Sequence, residues 1–225
     1  MNAEARATPT RRGSQRKPYD KAHRVNDPMD TPAHPSPLDP LAGEILAFWF
    51  GDMPHQPRDA WFRKDDAFDR GIRERFAAVL AAGIAGAFGE WCTSAAGSLA
   101  RVVLLDQLPR NAFRGTREQF AGDPGALATA IDAIDRGFDR ALDAHERSFL
   151  YMPFEHSERL DMQDRSVALF TALAADTGVD APLPWAQKHR EIIRRFGRFP
   201  HRNALLGRAS TPEELKFLEQ PGSRF

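Results

Sequence analysis

The sequence predicts an all-α domain, and three observations predict it. From residue 40 onward apolar residues recur at three- and four-residue spacing in run after run. No period-two alternation of useful length occurs, which removes the signal for a sheet. The runs also open on helix-start dipeptides, Asp39-Pro40, Asp123-Pro124 and Thr211-Pro212. A compact multi-helix domain is therefore expected over residues 40–225. It follows a tail, residues 1–39, that carries six prolines and only Val25 and Leu38 as aliphatic side chains larger than Ala and Met. Such a segment cannot bury enough apolar surface to offset its ordering entropy, so it is expected to be disordered. Removing residues 1–38 should then leave the body folded, because the Asp39-Pro40 start remains. Thermal unfolding of the truncated chain checks this, and a fall in Tm well beyond a few degrees would contradict it.

The first helix should begin at Pro40 with Asp39 as its cap, carry Leu41, Ile45, Phe48 and Trp49 on one face, and stop at Gly51. Phe68, Ile72, Phe76, Val79 and Leu80 predict a second that ends at Gly83. A third, from Ser94 to about Leu108, carries Leu99, Val102, Val103, Leu104 and Leu105. These cover more than one face, as in a central helix surrounded by others, and Pro109 should terminate it. The fourth runs from Asp123 to near Gly137 with Leu127, Ile131 and Ile134 inside. Pro153 should break the helix before the fifth, which Ser157 is placed to cap and which extends to Asp176. The sixth carries Trp185, His189, Ile192, Ile193 and Phe196 before Gly197. Thr211 and Glu214 form a capping box on a last short helix.

Composition bounds the function. Thirty-one basic residues balance thirty-one acidic ones, so no global field favours nucleic acid or an acidic membrane. The single cysteine, Cys92, excludes an internal disulfide and any zinc site built on paired thiolates. No run approaches the roughly 20 apolar residues of a membrane span, and the mean hydropathy is −0.50. The first residues lack the apolar core of a secretory signal, and their acidic residues do not suit a transit peptide. A reducing, cytoplasmic location is expected. No P-loop, G-x-G-x-x-G or H-E-x-x-H occurs, and no cofactor or metal is called for.

Polar residues stand in unexpected places in three segments. In residues 104–115, Asp106 and Gln107 continue a helix whose preceding turn is apolar, with Arg110, Asn111 and Arg114 just beyond. A buried carboxylate needs a partner, and an arginine fork satisfies it. Asp106, Gln107 and Asn111 are therefore read as a structural network that locks the helix end. In residues 152–163, capping accounts for Ser157 and Glu158, whereas His156 and Gln163 have no evident structural task. In residues 188–208 the chain is rich in Lys, Arg and His. His189 lies on an apolar stripe, where a histidine is either a satisfied core residue or faces a pocket. Arg198, His201, Arg202 and Asn203 surround a tight loop where side chains could converge on an anion.

The segments ILAFWFGD, WFRKDDAFD, LLDQLPRNAFRG, PFEHSERLDMQ, RFGRFPHRN and LGRASTPEELKFL occur in an order that resembles the bacterial domain of unknown function 924 family. The resemblance runs from about Leu41 to Leu218. It implies an all-helical domain similar to the tetratricopeptide-like superfamily, although no such repeat is visible in the sequence. Hallmark segments of the family fall on residues 106–111, 156–158 and 198–203, and no catalytic role comes with them.

Two functions compete, beside a third reading in which all these polar residues are structural and the function lies in an interaction surface that the sequence does not reveal. In the first, the domain binds a small anion or an acidic peptide through Arg110, Arg114, Arg198 and Arg202, with His156, Glu158, His189, His201 and Asn203 beside them. If Arg110 satisfies Asp106, the other three arginines should be left with few acids nearby, and Arg202 should face a solvated pocket. In the second, a hydrolase or lyase uses His156, Glu158, His189 and His201 as acid and base or as ligands of one metal, which requires that they meet at one point. Catalytic residues and oligomeric state are not assigned.

Overall fold

The computed structural model describes residues 37–223. The disorder expected for the tail therefore falls outside the described residues, except for its last three positions. Among the described residues there is no strand, and the all-α expectation holds.

Helix α1 (Pro40–Phe50) starts as its sequence requires. The Asp39 carboxylate accepts hydrogen bonds from the amides of Leu41 and Ala42, and Gly51 closes the helix with φ 75°. Its buried face carries Ile45, Trp49 and Phe50, and the two aromatic rings pack edge-on to Phe149. Helix α2 (Asp66–Ile84) is capped by Asp65 and continues past Gly83. A Cβ on Gly83 would meet Leu104 at 2.9 Å, so this glycine gives room to a neighbouring helix and does not act as a stop.

The central helix departs most from expectation. Helix α3 (Ala95–Val102) begins at the Ser94 cap, but Pro109 does not end the run. Proline has no N–H to donate to the residue four positions back. The helix accommodates it by widening into a π turn over Val103–Gln107, in which the Leu108 amide reaches the Val103 carbonyl, and then resumes as α4 (Leu108–Ala112). Val103, Leu104, Leu105 and Leu108 are all buried here. Each such side chain contributes about 1.5–3 kcal/mol, which together outweighs the ~3 kcal/mol that a proline costs inside an α-helix.

Helix α5 (Asp123–Asp135) has Gly122 at its cap position, so Asp123 is its first residue and keeps its carboxylate for other partners. Helix α6 (Ala144–Glu155) carries Pro153 in its last turn without breaking there. Helix α7 (Leu160–Thr177) starts two residues later than expected: Arg159 stands at the cap, and the Ser157 hydroxyl only accepts from the Arg159 amide at 3.2 Å. Helix α8 (Leu183–Phe196) ends at Gly197 in the left-handed conformation, and α9 (Pro212–Leu218) has the expected Thr211–Glu214 box. Trp185 does not join the buried stripe of α8. It is 52% exposed, with Lys188 over its ring at 5.1 Å.

Helix α3 packs against α1, α5 and α6, while α6, α7 and α8 pack in sequence. Most buried apolar residues form one core around α3, and Ile192, Ile193 and Phe199 form a smaller one with Phe196 and Phe217. The turn after α8 carries Phe199 in that smaller core and Arg202 at residues 200–202, within reach of the start of α5.

Candidate functional site

The start of α5, the last turn of α6, the loop after it and the turn at residues 200–202 meet at a cavity of about 300 Å3 lined by Asp123, Pro124, Leu127, Pro153, His156, Ser157, Glu158 and Arg202. Behind the lining residue His156 stands Asp106. Burial places this side chain out of solvent altogether, and it is bonded on both oxygens: Oδ1 to His156 Nδ1 at 2.7 Å and to Arg110 at 3.1 Å, Oδ2 to the Gln107 amide. Burial alone would raise its pKa, but Arg110 and His156 overrule it and hold the carboxyl at about 2. Gln107 reaches the Met152 sulfur as well. Asn111 does not take part. Its amide bonds Asp69, together with Arg114, whose Nε lies 3.1 Å from the same carboxylate.

His156 is the last-turn cap of α6 and leads into the cavity wall. With Nδ1 held by Asp106, the opposite ring nitrogen has no hydrogen bond among the described residues. Burial, then Arg110, lowers its pKa, so the ring is neutral at pH 7. His189 is buried behind it, 6.4 Å away between ring centroids, with Nδ1 near the Trp185 carbonyl at 2.8 Å and Glu155 at 3.0 Å. It is the satisfied core histidine of the two readings. His201 lies tilted beside Phe199, ring centroids 5.6 Å apart, and burial with Arg202 beside it pushes its pKa down to about 3.

The arginines are not the unpaired group the sequence suggests. Arg198 forms a two-pronged pair with Glu214 at 2.7 and 2.8 Å, because the α9 box holds that carboxylate in place. Asn203 is spent on Ser210 at 3.0 Å, on Glu214 at 3.3 Å and on Arg208 at 3.0 Å. Glu158 lies before α7 and not in its first turn. It accepts from the Phe199 amide and is gripped by Arg208 at 2.6 and 2.9 Å, which holds its carboxyl below the usual range against the effect of burial. The outer basic residues Arg190, Arg194 and Arg195 pair with Asp164, Glu191 and Glu213. A larger surface groove, about 370 Å3, runs along Arg195, Arg198, Glu213 and Glu214, but its charges are matched to one another.

Arg202 is the exception. It is 6% exposed and not solvated, and its guanidinium carbon lies over the Phe120 and Phe199 rings, 4.6 and 4.5 Å from their centroids. Among the described residues its one carboxylate contact is Asp123 at 3.3 Å, and Asp123 is taken more closely by Arg110 at 2.8 Å. The Arg202 Nε and Arg110 Nη2 groups are buried without hydrogen-bond partners. Burial, and then the like charge of Arg110, lower the Arg202 pKa to about 10.

His156, Glu158, His189 and His201 do not bring ligand atoms to one point, which removes the shared-metal form of the enzyme reading. The group of three that does so among the described residues is His55, Asp143 and Glu146. There Asp143 and Glu146 form the capping box of α6, and His55 Nδ1 bonds Asp143 at 2.7 Å. Asp123, Phe120 and Arg208 were not singled out by the sequence. Asp123 carried a signal, but one that suits a helix cap equally well.

The comparisons agree with the resemblance seen in the sequence. A family described as "Bacterial protein of unknown function (DUF924)" matches residues 45–222. A solved structure, described as that of a protein of unknown function, ATU0120 from Agrobacterium tumefaciens, is similar with a TM-score of 0.72 and 43% identity, over 80% of this chain and 97% of that one. No curated protein matches the chain.

Proposed function

Because this chain belongs to the bacterial DUF924 family, which brings no activity with it, we propose from the cavity itself that the protein binds a small ligand through an anionic group held by Arg202. One observation carries the reading. Arg202 is a buried cation with a single shared carboxylate and an unmatched Nε–H. A buried donor of this kind is costly to leave unmade, and a carboxylate or phosphate would match it with the geometry a guanidinium prefers. Of the two ligand sizes the sequence suggested, about 300 Å3 of space favours a small molecule over an acidic peptide. Arg110 assists from behind through Asp123, whereas Arg114 and Arg198 are committed to Asp69 and Glu214.

Arg202→Met tests this. The thioether keeps most of the contact with Phe120 and Phe199 while removing an undercompensated buried charge, so stability should stay within about 1 kcal/mol of wild type or rise. The wild type should gain Tm with small carboxylate-bearing compounds in a thermal-shift screen, and the variant should not. A variant that unfolds, together with a wild type that no anion stabilises, would make Arg202 part of the architecture.

One observation favours a second reading, acid–base catalysis. The Asp106 contact holds the His156 ring by Nδ1 in a residue that lines the cavity, which suits the opposite nitrogen to act as a general base. On that reading His156→Asn abolishes turnover of a compound that the variant still binds.

A further inference from the structure

Resting on the cavity being an anion site, we infer that its ligand is a zwitterion, a small aliphatic α-amino acid, and not a simple anion. The charges of the wall require this. Arg110, Arg202 and Arg208 are met by Asp106, Asp123 and Glu158, and Glu155 adds a further carboxylate beside His189. The lining itself contains two carboxylates, Asp123 and Glu158, against the one arginine, Arg202. A phosphate dianion seated at Arg202 would bring its charge beside both of them, and like charges in so small a space repel strongly. A ligand that carries its own cation next to its carboxylate converts that repulsion into attraction.

The polar groups are arranged for such a molecule. Arg202 offers guanidinium N–H donors for a carboxylate. His156 offers a neutral ring nitrogen that can only accept, because Asp106 fixes the proton on Nδ1, and Asp123 and Glu158 are acceptors too. An ammonium group supplies three donors to that side. Between them lie Pro124, Leu127 and Pro153, an apolar wall for a short aliphatic side chain. The volume, at the lower end of the range for ligand pockets, leaves no room for a long peptide.

The experiment is a calorimetric and thermal-unfolding comparison on the full wild-type chain. The probes are the common L-amino acids, the matching carboxylic acids that lack the amine, the matching amines that lack the carboxylate, and inorganic phosphate. At least one small aliphatic amino acid should bind and raise Tm, while its carboxylic acid and its amine should each lose at least about tenfold in affinity. Arg202→Met should abolish the binding. If the carboxylic acids or phosphate bind as tightly as the amino acids, the zwitterion is wrong and the anion site stands. Amino-acid binding that survives in Arg202→Met, or no binding by any probe, overturns both.

Discussion

Replacing Asp106 with alanine is expected to destabilise the protein by about 3–5 kcal/mol, because removing one partner of a buried ion pair leaves the other charge uncompensated. The fully buried Asp106 holds Arg110, His156 and Gln107 at once. Urea unfolding of Asp106→Ala against wild type measures the loss. The pH dependence gives an independent check. The carboxyl sits at about 2 in the folded protein against its ordinary value of 3.8. A group whose folded pKa is depressed contributes stability that is fully present above its unfolded pKa and lost as pH falls through its folded one. The wild type should therefore lose this contribution between about pH 4 and pH 2, and the difference between wild type and Asp106→Asn should shrink across that window. A constant difference would mean that Asp106 does not titrate in this way.

Gly122→Ala is expected to cost about 3 kcal/mol, at the upper end of the usual range for overpacking. The glycine has φ −87° and ψ −11°, which alanine adopts freely, so backbone preference predicts no effect. The collision decides instead: a Cβ there would stand 2.0 Å from the Leu105 carbonyl oxygen and 2.8 Å from its carbon, both backbone atoms that no side-chain rotation can move. The change should also weaken binding of any probe held at Arg202, since Gly122 precedes Asp123. Gly89→Ala, where the added Cβ meets nothing within 4 Å, is the control and should stay within about 0.5 kcal/mol. Equal denaturation midpoints for the two variants would show that α5 can move away from the π turn without penalty.

The helices were legible because their signals are local. Asp39, Ser94 and Thr211 cap the helices they precede, and Gly197 ends α8, since side-chain oxygens and positive φ act within a few residues. The misread ends are those that tertiary packing decides. Pro109 looks like a terminator, yet the burial of Leu104, Leu105 and Leu108 carries the helix through it by way of a π turn. Ser157 looks like a cap, but the Glu158 carboxylate, committed to Arg208 and the Phe199 amide, keeps the chain out of helix until Leu160. At the site, the burial of Asp106 followed from the apolar turn before it. Its His156 partner, 50 residues on, did not, and neither did the capture of Arg198 and Arg114 by Glu214 and Asp69. Pairing over such separations leaves no periodic trace in one sequence. Asp123 was hidden for another reason: an acid before proline is what a helix start requires, so its second task between Arg110 and Arg202 had no separate signal.

The most direct test of the cavity as a ligand site is a titration calorimetry series with one small aliphatic amino acid against wild type, Arg202→Met and Arg198→Ala. Arg202 faces the cavity and Arg198 is committed to Glu214 outside it. The account predicts binding at one site per chain in the wild type, unchanged affinity in Arg198→Ala, and none in a folded Arg202→Met. Equal affinity in wild type and Arg202→Met, or no heat in the wild type, would contradict it.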